Sequence, residues 1–80
     1  MIRARITVTL KTDVLDPQGK AIEGSLSALG FDDVGTVRQG KVFDVVLNGD
    51  DQFEAEKSLE AMCEQLLANT VIENYTVTIV

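Results

Sequence analysis

The sequence predicts a small α+β domain, and three observations carry that expectation. One segment alternates apolar and polar residues with the period of a strand, while two others repeat apolar residues with the period of a helix. Turn residues separate these patterns. Eighty residues also suit one core, so 1–80 is expected to form a single domain.

The first strand is Ile2–Leu10: its even positions are apolar, and Arg3, Arg5, Thr7 and Thr9 fall on the other face. The first helix has its start and stop written in. Asp16 can accept hydrogen bonds from free first-turn amides, and Pro17 has no N–H to leave unpaired and already a helical φ. Ile22, Leu26 and Leu29 recur at i, i+4 and i+7, a stripe expected to face a core. Gly30 can take the left-handed conformation that ends a helix, with Phe31 folding back over the last turn.

Val34 to Leu47 admits two readings. Gln39-Gly40 can close a two-residue hairpin. Alternatively the stretch is one long strand kinked at Gly40, with Val37, Phe43, Val45 and Leu47 on one face. Asn48-Gly49-Asp50 forms a turn, and Asp51 with Glu54 has capping-box spacing. Leu59, Met62, Cys63, Leu66 and Leu67 form the clearest helical stripe. Asn69 is expected as a left-handed cap, followed by a last strand Val71–Val80 with Tyr75, Val77 and Ile79 alternating. This order matches a ferredoxin-like two-layer sandwich, an antiparallel sheet with both helices on one face. The open face and edges of so small a chain favour sharing the sheet in a homodimer or higher homo-oligomer.

The chemistry-bearing residues are few. Thirteen acidic against seven basic residues give a net charge of −6, with no basic cluster or aromatic platform for nucleic acid. No apolar run reaches the ~20 residues that span a bilayer. Arg3 and Arg5 interrupt any signal-peptide core, so a cytoplasmic location is expected. There is no histidine, and Cys63 is the only cysteine, so an internal disulfide is impossible. Cys63 lies within the helix stripe and reads as packing rather than a nucleophile.

Asp32-Asp33 and Asp50-Asp51 lack calcium-loop spacing and read as loop and cap residues. The glycines make no phosphate-binding pattern. No catalytic residue and no metal ligand is therefore expected. Glu56, Glu60 and Glu64 make an acidic row that is solvated or meets a basic partner. In Arg38-Gln39-Gly40-Lys41 two cations flank a glycine, a candidate contact for an anion or a partner.

Four blocks together resemble the PurS subunit family of phosphoribosylformylglycinamidine synthase. They are Val14 to Ile22 with its Asp16-Pro17-Gln18-Gly19 core, Leu29-Gly30-Phe31, Val37 to Asp44, and Met62 to Asn69 running into Val71–Tyr75. Thr70 stands where the family often has proline, and Lys11-Thr12-Asp13 where glycine or proline is common. The resemblance implies a subunit of a carbon–nitrogen ligase of purine biosynthesis, dimeric and non-catalytic. It would bridge a glutaminase subunit and a large synthetase subunit, with ATP and Mg²⁺ acting in the latter and no cofactor on this chain. Asp16, Pro17, Gln18, Gly19, Arg38, Gly40 and Lys41 are the expected contact residues. A regulatory module binding an amino acid at a dimer interface is the alternative.

Overall fold

The period-2 alternation becomes strand β1, Ile2–Leu10, in a computed structural model that describes residues 1–80. Ala4, Ile6 and Val8 point inward and are buried, while Arg3, Arg5, Thr7 and Thr9 are exposed. Strands β2, Gly40–Leu47, and β3, Glu73–Ile79, flank β1 antiparallel in the order β2-β1-β3. Ile6 lies opposite Phe43 on one side and Val77 on the other, so the apolar side chains of all three strands share one face.

Helix α2, Gln52–Met62, covers that face. Asp51 caps it, accepting the Phe53 and Glu54 N–H groups at 3.0 and 3.2 Å. Leu59 and Cys63 are fully buried against the sheet. Beyond Met62 the helix widens into a π-helical turn, Cys63–Leu67, closed by the Ala68 N–H donating to the Cys63 carbonyl at 3.0 Å. The extra residue in that turn breaks the 3.6-residue repeat. Leu66, expected in the stripe, is 83% exposed, and Ala68 is buried instead.

Asn69 does not take a left-handed conformation, since no non-glycine residue has positive φ. Ala68 turns extended and ends the helix. The Asn69 side chain then accepts the Val71 N–H at 3.2 Å, and its own N–H donates to Glu73 at 2.7 Å. That turn consumes Val71 and Ile72, so β3 starts later than the alternation predicts.

The Val34–Leu47 stretch is neither a hairpin nor one long strand. β2 begins at Gly40, opposite Thr9, and residues 34–39 lie outside the sheet. A Cβ at Gly40 would stand 2.7 Å from the Val8 carbonyl oxygen, so only glycine enters the sheet there.

Helix α1, Pro17–Ala28, has the ends expected of it. Gly30 has φ +99°, and the Phe31 N–H donates to the Leu26 carbonyl at 3.0 Å. Its seat is different. No α1 residue joins the core, and the stripe expected to face it is only partly covered, with Leu26 half-buried, Ile22 38% exposed and Leu29 73% exposed. The class of three antiparallel strands and two helices holds, but only α2 covers the sheet. The molecule measures 49 × 24 × 14 Å. Its radius of gyration is 16.1 Å, against about 12 Å for a compact chain of this length. α1 and the segment returning from it form an arm.

Candidate functional site

At the base of the arm, residues distant in sequence meet. Asp16, only 5% exposed, uses both carboxylate oxygens. Oδ1 accepts the Gly19 N–H at 2.9 Å, which caps α1, and Oδ2 accepts the Gln39 N–H at 2.7 Å. Glu23 accepts the Val37 N–H at 2.9 Å. Two backbone donors just before β2 thus find carboxylates on the arm rather than a neighbouring strand. Gln39 Nε2 donates to Gln18 Oε1 at 2.7 Å, and Arg38 Nη2 to the Lys11 carbonyl at 2.9 Å.

Glycine makes this approach possible. A Cβ on Gly19 would collide with the Val37 carbonyl oxygen. The Gln39 N–H, then the Gly19 N–H, hold the Asp16 carboxyl below the usual carboxylate range, against an opposing pull from burial and with help from the Arg38 charge.

Beside this cluster lies an open cleft of about 250 Å³ lined by Asp16, Gln18, Gln39, Gly40, Lys41 and Glu73. Lys41 Nζ is 3.9 Å from Glu73. The cleft is poorly equipped for reaction. Its lining has no serine, threonine, cysteine or histidine, and both Asp16 oxygens already accept backbone donors. What the arrangement does chemically is fix a shape.

The sequence-predicted contact residues separate into two groups. Asp16 and Gly19 are buried and hold the turn from within. Pro17, Gln18, Arg38, Gly40 and Lys41 lie at the surface around them. Gln39 and Glu23 complete the cluster. Sequence reading passes over them because their partners are 23 and 14 residues away and no local pattern signals them.

Elsewhere, burial first and then Glu64 and Glu60 push the Cys63 thiol up, which leaves it a weak nucleophile. The nearby Glu64 carboxylate, which favours the protonated phenol, is the main cause that pushes Tyr75 up to about 12. No three His, Cys, Asp or Glu side chains converge to hold a metal ion. No helix is long and apolar enough to cross a membrane. The arm also presents apolar side chains to solvent, Leu15, Leu29 and Phe31 being mostly exposed.

Comparison with known proteins bears on this geometry directly. Residues 3–80 match the family PurS, phosphoribosylformylglycinamidine (FGAM) synthase. The chain is 52% identical over 71 residues to the phosphoribosylformylglycinamidine synthase subunit PurS of Synechocystis sp., covering 89% of this chain and 71% of that protein. Its fold is similar to the crystal structure of Methanocaldococcus jannaschii PurS, one of the subunits of formylglycinamide ribonucleotide amidotransferase in the purine biosynthetic pathway. That likeness has a TM-score of 0.90 at 34% identity and covers 100% of this chain and 96% of that one. A chain in the structure of PurLQS from Thermotoga maritima is similar with a TM-score of 0.90 at 29% identity, over 99% and 96% of the two chains. Sequence and fold agree over nearly the full length, arm included: the chain belongs to the PurS family of FGAM synthase subunits.

Proposed function

We propose that this chain is the small non-catalytic bridging subunit of FGAM synthase, working in the cytoplasm as a homodimer or higher homo-oligomer. In this reading a glutaminase subunit releases ammonia from glutamine. A large synthetase subunit uses ATP and Mg²⁺ to activate the amide oxygen of formylglycinamide ribonucleotide, and ammonia displaces it to give the amidine. This chain holds neither cofactor and performs neither step.

The observation that carries the reading is the arm. Its apolar stripe joins no core residue of the chain and leaves Leu29 73% and Phe31 55% exposed, yet its base is tied by directional hydrogen bonds. A rigid apolar projection beside an unreactive cleft suits docking. The stripe fits a second copy, and the surface around Pro17, Gln18, Arg38 and Lys41 fits the larger subunits. A PurS chain within the Thermotoga maritima PurLQS structure supports the assembly.

Mixing the purified chain with the two larger subunits is expected to restore glutamine-dependent amidation, with light scattering reporting a multi-subunit complex. Full activity and assembly of the other two without this chain would sink the reading. Tight binding of glutamine by the isolated chain in calorimetry would favour a regulatory module instead.

A further inference from the structure

We propose that Asp16 is a positioning residue: it sets the direction in which α1 leaves the sheet and so the geometry in which the arm meets its partners. The proposal rests on the bridging reading. The arm has no apolar anchor in the core, so its direction depends on polar contacts at its base. Asp16 joins the two strands of that base with a single rigid group. One oxygen holds the first turn of α1, and the other holds Gln39, the residue next to Gly40, which is in register with Thr9 of β1. Helix axis and sheet are thereby linked through one carboxylate.

Helix capping does not demand this residue. Serine and asparagine cap about as well as aspartate, but only a carboxylate offers two acceptor oxygens to two N–H donors. Gly19 supports the same conclusion independently. Glycine inside a helix is unfavourable, and close approach of the Val37 carbonyl requires it there. Gly24, one and a half turns later in α1, has nothing within 4 Å of its Cβ position. The two glycines therefore serve as test and control. An arm held in its bound direction before docking binds more tightly than one that must be ordered on contact.

Asp16→Ser separates the cap from the clamp, because the hydroxyl retains the Gly19 bond while leaving the Gln39 N–H without its acceptor. Amide hydrogen exchange on the chain is expected to quicken about tenfold or more at Gln39 with Gly19 still protected, in line with loss of a single directional bond. In the enzyme reconstituted from all three subunits, the concentration of chain giving half-maximal glutamine-dependent turnover should rise about tenfold or more, as expected when preorganisation is lost. Turnover at saturating chain should return to the wild-type value. Gly19→Ala should act the same way, and Gly24→Ala should leave the half-saturating concentration unchanged.

Unchanged protection of Gln39 in Asp16→Ser, an unchanged half-saturating concentration, or an equal loss in Gly24→Ala overturns the positioning role. A wild-type chain that restores no glutamine-dependent turnover overturns the bridging reading, and the positioning role with it. Equal restoration by wild type and Asp16→Ser at the chain concentration that half-saturates wild type overturns the positioning role alone.

Discussion

The sheet with α2 and the arm are held by opposite means. In the sheet body, Ile6, Leu59 and Cys63 lose all contact with solvent, and the stabilising contribution is non-directional apolar burial. In the arm, the buried residues are Asp16 and Gly19, and what fixes α1 is a set of hydrogen bonds with defined angles. Burial decides whether a chain folds; hydrogen bonds of this kind decide where a folded element points. Leu29 and Phe31 of the arm lie outside the core and are mostly exposed, which leaves them free for another surface.

This contrast can be broken most sharply in the body. Leu59→Ala opens a cavity under α2 and should lower unfolding free energy by about 2–5 kcal/mol, read from the urea midpoint. Gly40→Ala forces a Cβ against the Val8 carbonyl and should cost about 1–3 kcal/mol in the same measurement. Asp51→Ala removes the α2 cap and should cost about 1 kcal/mol. Leu29→Ser on the arm should change the stability of the dilute chain by less than about 0.5 kcal/mol, the range for exposed sites, while weakening self-association in light scattering.

Acid gives the mildest probe, and its effect on the arm base has a defined sign. Asp16 has its carboxyl lowered by the Gln39 and Gly19 N–H groups, so its contribution is complete above the unfolded value of about 3.9. It is lost as pH falls through the lower folded value. Arg38 nearby favours the same ionised form. The Gln39 amide resonance should therefore shift as Asp16 takes up its proton in the folded chain, below the reference value of about 3.9.

Local patterns made much of this fold legible. The bounds of β1, the Asp16 cap, the Gly30 stop and the Asp51 cap each depend on neighbours within a few residues, and each stands where the sequence puts it. The position of Leu66 was not legible, because one extra residue in a π-helical turn rotates everything after it. Nor was the seat of α1. Periodicity reports that Ile22, Leu26 and Leu29 share a face but not which surface covers it. The candidate site divides likewise: the Asp16–Gly19 turn announced itself, whereas Gln39 and Glu23 became visible only when the return segment lay along the helix.

The arm as a docking element separate from the folded body is tested most directly by a chain carrying Ile22→Asp and Leu29→Asp together. Its circular dichroism should match wild type, because neither residue joins the core. Added to the two larger subunits, it should fail to self-associate and fail to restore glutamine-dependent amidation. Restoration of that activity at the wild-type chain concentration would mean that the apolar stripe of the arm plays no part in assembly.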